Sequence, residues 1–402
     1  MNVFLGILIG IFMLMFLVTA HEFGHFLMAR RNGVEVEEFG ICFPPRAIAW
    51  RKVDGKWRRL KKSEWEDAPG EGTILSLNWL PIGGFCQMKG ESDADTKRGS
   101  FGRATYWSKT KILFGGVIMN WFVAFVILTI MAWAGMPQFL ENQFTVEADT
   151  HVVGLSDVTI TQVLEGSPAE AAGIRVDDII TMMRVGKETA VAINSVEDVL
   201  AFDDEHAGSS VYVTYRRGDN IVTTEVELNG KDAEYVLGAA ISGESVYRST
   251  WSAPIVGAGL TLQITGETFK GVGDLIVNLF SGIVKRVNPD ETVRQEGSTA
   301  LEAAGNSVSG PVGIIGVLFP QVSQDGPSLF FFVALISISL ACMNVLPIPA
   351  LDGGRWLMIT IARLRKKKLS KATEEKIVGR SFIVILIIAT IVTVLDVMRI
   401  FK

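Results

Sequence analysis

Residues 2–28 read N-V-F-L-G-I-L-I-G-I-F-M-L-M-F-L-V-T-A-H-E-F-G-H-F-L-M, an apolar run that carries His21, Glu22 and His25. Because about 20 apolar residues suffice to cross a bilayer, this run predicts a membrane span. It lacks a basic start and a small-residue cleavage site and is too long for a signal peptide, so we expect it to be retained. Ionisable groups inside a span are costly, and three so close together predict a functional site.

Three further apolar runs follow in this chain of 402 residues, of which 49% are hydrophobic. They cover residues 106–133, 329–343 and 381–397, and the second of these three is interrupted soon afterwards by Pro347 and Pro349. We therefore predict a polytopic α-helical membrane protein with four core transmembrane helices. A net charge of −5 gives no indication of nucleic acid as a partner, and three scattered cysteines form no disulfide framework or metal-ligand spacing.

Basic residues between the runs predict how the spans are oriented. They cluster after the first run, before the second and after the third, at residues 30–62, 103–111 and 363–368. Because basic loops stay in the cytoplasm, we expect residues 30–105 and 355–380 inside the cell and residues 137–325 outside. Arg399 and Lys402 oppose this assignment, but they are only two charges.

Residues 71–90 are apolar but too rich in glycine and proline for a spanning helix. A β-hairpin bent at Gly83 and Gly84 suits this composition. Non-helical backbone at membrane depth survives only when it is buried in protein or lines a cavity. The hairpin is therefore predicted either to re-enter the membrane beside a polar site or to lie in the cytoplasm.

Residues 153–242 alternate short strand-like and helix-like pieces, as expected of one small mixed α/β domain. The predicted strands cover residues 158–163, 179–183, 210–215 and 222–228, and the predicted helices cover residues 167–173 and 195–202.

Residues 254–286 carry apolar stripes with few charges. They predict an amphipathic helix that lies on the outer membrane face or packs on the neighbouring domain. Residues 287–306 are polar and are predicted to be a loop.

A metal site is predicted from the spacing of His21 and His25, which share one face of a helix one turn apart. Both can bind one zinc ion through neutral imidazole, and Glu22 can take a proton from water bound there. A third protein ligand is required, and Asp352 follows the third apolar run in N-V-L-P-I-P-A-L-D-G-G (344–354). On its own, Asp352 could equally be a turn or helix-end residue. These ligand types would also accept iron or cobalt.

These motifs resemble the bacterial site-2 proteases, a family of intramembrane zinc metalloproteases of regulated intramembrane proteolysis. The resemblance rests on His21–His25, on Asn344, Pro347 and Asp352-Gly353, on Pro81–Phe85, and on Ser309–Ile314. Residues 153–242 resemble the family's PDZ domain. Well-known relatives with two PDZ domains cut anti-sigma factors, whereas this chain has room for one such domain, so it is more similar to the members with a single PDZ domain.

The resemblance implies a mechanism and a setting. Zinc is held by His21, His25 and Asp352, Glu22 is the general base, and Asn344 contacts the substrate backbone or the developing oxyanion. Substrate binding falls to the site residues Gly83, Gly84, Asn344 and Pro347. The implied substrates are single-span membrane proteins, such as anti-sigma factors or remnant signal peptides. The chain is expected in the cytoplasmic (inner) membrane, with an extracytoplasmic PDZ domain that filters substrates by size or binds trimmed termini.

Two other classes of protein remain open from the sequence. One is a membrane scaffold with a PDZ domain and a silent protease core. The other is an ion-handling membrane protein, because intramembrane His, Glu and Asp also mark ion paths.

The sequence predicts four regions along the chain. Residues 1–136 hold the first two spans and the re-entrant hairpin, residues 150–243 form the PDZ domain, residues 244–324 form an extracytoplasmic amphipathic linker, and residues 325–402 hold the last two spans.

Overall fold

The computed structural model describes residues 3–65, 68–92, 94–140, 142–155, 157–186, 188–233, 235–243, 245–306, 310–366 and 370–400. Ser309 and Lys402, which entered the sequence predictions, lie outside the described residues. The chain divides into two compact units. The first comprises Met1–Leu128 and Gly257–Lys402, and the second comprises Thr129–Val256.

The helices, in chain order, are α1 (Val3–Arg31), α2 (Tyr106–Ala134), α3 (Pro168–Ala171), α4 (Val196–His206), α5 (Ala253–Arg286), α6 (Glu291–Asn306), α7 (Pro311–Val322), α8 (Gly326–Val345), α9 (Asp352–Leu364) and α10 (Lys371–Ile400). The strands are β1 (Val36–Val53), β2 (Lys56–Arg59), β3 (Glu71–Met88), β4 (Met136–Pro137), β5 (His151–Leu155), β6 (Val158–Val163), β7 (Ile179–Val185), β8 (Val191–Ala192), β9 (Ser210–Arg217), β10 (Asn220–Glu227), β11 (Ala239–Ser242) and β12 (Ser245–Arg248).

Four helices of the described chain are long and apolar enough to cross a membrane, namely α1, α2, α8 and α10. This agrees with the prediction of four apolar helices that can span the membrane. The helix α10 begins at Lys371, well before the apolar run at Ser381. Its start is set by Ser370, whose hydroxyl accepts a hydrogen bond from the Thr373 amide at 3.2 Å, as an N-cap does. The sequence prediction of this helix was therefore too short at its polar end.

The first half of α1 packs closely on α7. A Cβ on Gly6 would lie 2.5 Å from the Cα of Pro320, and one on Gly10 would lie 2.8 Å from the Phe319 ring. Phe319 is fully buried in a cluster with Leu17, which lies one turn before the His21 position. The small residues let the two backbones approach, as they do in membrane helix pairs. The helix α7 therefore fixes the part of α1 that leads to the histidines.

The strand β1 is the middle strand of a three-stranded sheet with the order β2-β1-β3. Phe39 pairs both with Leu75 and with Cys86, and neighbouring residues of β1 repeat this double pairing. The two arms of the predicted hairpin at residues 71–90 thus lie on either side of β1, where each finds hydrogen-bond partners, instead of pairing with one another. Gly83 has a positive φ of 71° where the chain turns back, a conformation that suits glycine.

The second unit contains a sheet of order β10-β9-β7-β6-β11, with β8 beside β7. The strands β6, β7, β9 and β10 lie where the sequence predicts strands. The helices α3 and α4 also lie at predicted positions, with Ser167 and Ser195 as side-chain N-caps. The helix α4 continues to His206, past the predicted end at Phe202. A buried apolar cluster around Ile160, Met183 and Val213 forms the core of the unit.

The predicted helix at residues 254–286 is present as α5, whereas the prediction of a loop at residues 287–306 is wrong, because α6 occupies it. The overlooked signal is Asp290, whose carboxylate accepts hydrogen bonds from the Thr292 amide and hydroxyl and so caps the polar helix. The helix packs on α5 through Gly297, where a Cβ would lie 2.8 Å from the amide nitrogen of Arg286.

Candidate zinc centre

His21 and His25 on α1 converge with Asp352 at the start of α9. The Nε2 atom of His21 lies 3.1 Å from Oδ2 of Asp352 and 3.1 Å from Nε2 of His25. The Nε2 atom of His25 lies 3.3 Å from the same carboxylate oxygen. All three side chains are largely shielded from solvent. The structure thus brings together the three predicted metal ligands, which are 331 residues apart in sequence at their widest.

This triangle has the dimensions of a metal-ligand set. Tetrahedral zinc with bonds of about 2.0–2.2 Å holds its ligand atoms about 3.3–3.6 Å apart. The Nδ1 atom of His25 is 2.8 Å from the Ile112 carbonyl oxygen, which only accepts, so Nδ1 donates and Nε2 keeps its lone pair. Two imidazole nitrogens and a carboxylate oxygen therefore point at one position. Their chemistry fits zinc, with a fourth position left open as in catalytic sites.

Glycines of α2 make room for the histidines. A Cβ on Gly116 would lie 2.6 Å from Nε2 of both His21 and His25. One residue earlier, a Cβ on Gly115 would lie 2.7 Å from the carbonyl oxygen of Gly24, between the two histidines. The backbones of α1 and α2 therefore touch at the site, which small residues alone allow.

The segment between α8 and α9 presents Asp352. The chain leaves α8 at Leu346 and turns at Pro347, where the Ile348 amide donates to the Leu346 carbonyl at 2.8 Å. Gly353 and Gly354 then pass so close to the carbonyl groups of Val345 and Ile348 that a Cβ on either would overlap them. Proline ends the helix and glycine permits the close approach, so the sequence of this segment determines where the carboxylate points.

A cavity of about 240 Å³ lies beside the triangle. Its lining includes Glu22 and Asn344, together with Cys86 and Met88 of β3. Ligand atoms of Glu22, His21 and His25 all lie within 4.8 Å of one another. The Asn344 amide donates to the Leu340 carbonyl of its own helix at 3.0 Å. The predicted base Glu22, the three predicted metal ligands and an open cavity thus share one site.

Three predicted substrate-binding residues lie outside this lining as the structure describes it: Gly83, Gly84 and Pro347. A Cβ on Gly83 would lie 2.8 Å from Val18, and one on Gly84 would lie 3.1 Å from the Thr19 hydroxyl. Both glycines therefore contact α1 just before the histidines. Pro347 shapes the turn that precedes Asp352 and does not line the cavity.

The sequence predictions missed several residues of the site, among them Gly116 and Asn120. The amide nitrogen of Asn120 on α2 lies 3.4 Å from Nδ1 of His21. Arg355, one turn after Asp352, lines the cavity and donates to the Glu91 carbonyl at 3.0 Å. A polar residue within an apolar span was the available signal for Asn120, because such residues tend to be functional.

Residues 9–60 and 65–389 match the sequence profile of peptidase family M50. The chain belongs to that family. It is a zinc metalloprotease of the site-2 type and a multi-pass membrane protein. This membership favours the protease over the scaffold and ion-handling alternatives, and it confirms the resemblance drawn from the motifs and the prediction of zinc.

Curated relatives of this M50 peptidase align along most of their length. The zinc metalloprotease RasP of Shouchella clausii is 24% identical over 96% of this chain and 97% of that protein. The zinc metalloprotease Rip1 of Mycobacterium tuberculosis is 25% identical over 90% of this chain and 86% of that protein. Among solved structures, the PDZ domain of an SdrC-like protein from Listeria monocytogenes is 19% identical, with a TM-score of 0.18, over 21% of this chain and 87% of that chain.

Proposed function

We propose that this M50 peptidase hydrolyses peptide bonds within or near the transmembrane segments of single-span membrane proteins. The observation that carries the proposal is the depth of the site along α1. His21 lies ten residues before the helix ends at Arg31, which is about 15 Å at 1.5 Å per residue. A bilayer core is about 30 Å thick, so ligands at this position meet a substrate inside the membrane.

Each residue of the site has a role in this reaction. When bound by His21, His25 and Asp352, zinc supplies Lewis-acid chemistry to the scissile carbonyl and makes water a better nucleophile. Glu22 lies beside the ligands, so it takes the proton of the attacking water and later delivers it to the leaving amine. Asn344 faces the same cavity, and its amide binds the substrate backbone or the oxyanion.

The substrate must be extended before it is cut, because a helix hides its peptide bonds. The strand β3 is an edge of the sheet, and Cys86 and Met88 of β3 line the cavity. An unwound substrate segment adds to this sheet as a strand, held by backbone hydrogen bonds. Gly83 and Gly84 contact the middle of a span, and Trp79 and Leu80 are exposed. Both observations support a loop that re-enters the membrane.

The second unit contains the proposed PDZ domain, at residues 150–243, and we place it outside the cell. The basic residues that flank the first two spans support this orientation. Its strand β11 lies at the edge of the sheet, where an extended peptide can pair with it. The domain therefore binds or screens substrate segments outside the membrane. The face of α5 with exposed Ile276, Phe280 and Ile283 then lies on the outer leaflet.

The test is to map where the enzyme cuts. Purified full-length protein in detergent is incubated with a single-span test substrate, with and without a zinc chelator, and the fragments are identified by mass spectrometry. We expect new termini within the apolar segment, which disappear with the chelator. Cleavage confined to the soluble tails of the substrate, or cleavage that continues without metal, would contradict the proposal.

A further inference from the structure

Helix α2 contacts the outward ring nitrogen of each histidine of the site. The Nδ1 atom of His25 meets the Ile112 carbonyl oxygen at 2.8 Å. The Nδ1 atom of His21 meets the side-chain amide of Asn120 at 3.4 Å. Such hydrogen bonds from neighbouring groups fix the tautomer and the ring orientation of metal-bound histidines.

The required proton position on His21 follows from the triangle. Its Nε2 atom faces Asp352 and His25, so Nε2 must keep its lone pair to bind a metal. Nδ1 then carries the hydrogen and needs an acceptor. The side-chain amide of Asn120 lies against this nitrogen, and its Oδ1 is buried and has no partner among the described residues. A 180° rotation of the carboxamide exchanges Oδ1 and Nδ2 and puts this acceptor against the His21 N–H.

Asn120 is held rigidly in this position. The residue is 0% exposed, and its backbone carbonyl accepts a hydrogen bond from the Ser337 hydroxyl of α8 at 2.8 Å. Gly116, one turn earlier on α2, lies against both histidines. A buried amide in an apolar span is costly without a partner, so its presence here calls for a role.

We propose that Asn120 is a positioning residue for the zinc site. It accepts a hydrogen bond from Nδ1–H of His21, which locks the ring with Nε2 toward the metal. It touches neither the metal nor the substrate. The inference rests on the assignment of His21 as a ligand in the proposed function, and it adds an acceptor on the second span to the three ligands.

A simple packing role for Asn120 makes different predictions about its variants. Asn120→Leu keeps nearly the same volume but removes the acceptor. Asn120→Asp keeps an acceptor, because a carboxylate accepts hydrogen bonds at least as well as an amide. If Asn120 only fills space, the Leu variant should keep its zinc affinity and the Asp variant, with a buried charge, should lose it. If Asn120 acts as a hydrogen-bond acceptor, the Asp variant should keep its zinc affinity and the Leu variant should lose it.

The experiment measures the zinc affinity of the full-length protein in detergent by competition with a chelator, and kcat/KM on a single-span substrate. We expect Asn120→Leu to weaken zinc binding roughly 10–100-fold and Asn120→Asp to remain within a few-fold of wild type. Asn278→Leu, the same exchange on α5 at a residue outside the cavity lining, is the matched control and should bind zinc like wild type. If Asn120→Leu does not fold, Asn120→Ala replaces it.

Wild-type zinc affinity in Asn120→Leu or Asn120→Ala would overturn the proposal. Equal losses in the Leu and Asp variants, both still folded, would also overturn it and leave a packing role. Comparing the zinc affinities of the variants tests the role of Asn120 even if the wild-type protein cuts no substrate. A wild-type protein that binds zinc but cuts no single-span substrate would count against the proposed intramembrane cleavage.

Discussion

Gly24 of α1 and Gly115 of α2 bring the backbones of the two spans into contact beside the metal ligands, where a Cβ on Gly115 would lie 2.7 Å from the Gly24 carbonyl oxygen. Because the helices meet here without intervening side chains, the histidine rings can reach across the contact to α2. The candidate zinc centre is therefore built on a helix–helix contact as well as on its predicted ligands.

The first prediction concerns Gly116, whose added Cβ would lie 2.6 Å from Nε2 of His21 and of His25. Gly116→Ala should displace both rings from the metal position. A misplacement of about 1 Å costs on the order of 100-fold in rate, so kcat/KM should fall by about that factor, with a loss of bound zinc. Gly271→Ala on α5, where a Cβ meets open space, is the control. Zinc content like that of wild type in Gly116→Ala would contradict the geometry.

The second prediction concerns Asp396 of α10, which is 4% exposed and accepts a hydrogen bond from the Gly313 amide of α7 at 2.8 Å. Asp396→Ala leaves that amide without its partner, at a cost of about 1–3 kcal/mol. We expect a lower unfolding temperature in detergent. Thr390→Ala, an exposed residue that bonds within its own helix, should leave it unchanged. An unaltered Asp396→Ala protein would mean that this contact does not stabilise α7.

The third prediction concerns Asp149 of the second unit. Burial would raise the pKa of its carboxyl, but hydrogen bonds from the hydroxyl and amide groups of Ser252 and Thr250 outweigh it and hold the pKa below its ordinary value. A lowered native pKa gives stability that is present at neutral pH and is lost as the pH falls through that pKa. Asp149→Asn should therefore lower the unfolding temperature at pH 7, and the difference should shrink on acidification.

Asp204 provides the control for the Asp149 experiment, because its carboxylate is exposed and pairs with Lys231 on the surface. Exposed ion pairs contribute at most about 1 kcal/mol, so Asp204→Asn should behave like wild type at every pH. A gap between wild type and Asp149→Asn that stays constant from pH 7 to strongly acidic pH would contradict the assigned role.

The fourth prediction concerns Asp203 on α4, where burial raises the pKa of the carboxyl to about 7. Its Oδ1 has no partner among the described residues. Because the native state holds the proton more tightly than the unfolded state, the second unit loses stability as the pH rises from about 4 to 7. Asp203→Asn should raise the unfolding temperature at pH 8 and have little effect at pH 4. No stabilisation at pH 8 would contradict the prediction.

Local patterns in the sequence predicted much of the fold. The four spans followed from runs of apolar residues, and α3 and α4 followed from Ser167, Pro168 and Ser195, which act through neighbours in sequence. The pairing of Phe39 with both Leu75 and Cys86 did not follow, because it joins segments distant in sequence. The helix α6 was missed because its composition is polar and its local N-cap signal, Asp290, was overlooked.

The candidate site was also predicted from the sequence only in part. The spacing of His21, Glu22 and His25 predicted two ligands on α1, and the need for a third ligand favoured Asp352 in its Pro–Gly setting. The roles of Gly116 and Asn120 depend on which face of α2 meets α1, and an almost uniformly apolar span does not reveal its faces. Gly83 and Gly84 contact α1 near Thr19, but their role toward substrate stays a prediction.

The central claim is tested most directly by zinc content and turnover measured together on two variants. We predict that Glu22→Gln holds one zinc per chain, as wild type does, yet cuts no single-span substrate, because the ligands are intact and the base is gone. Asp352→Ala should lose both zinc and cleavage. Cleavage by Glu22→Gln, or wild-type zinc affinity in Asp352→Ala, would contradict this account of the site.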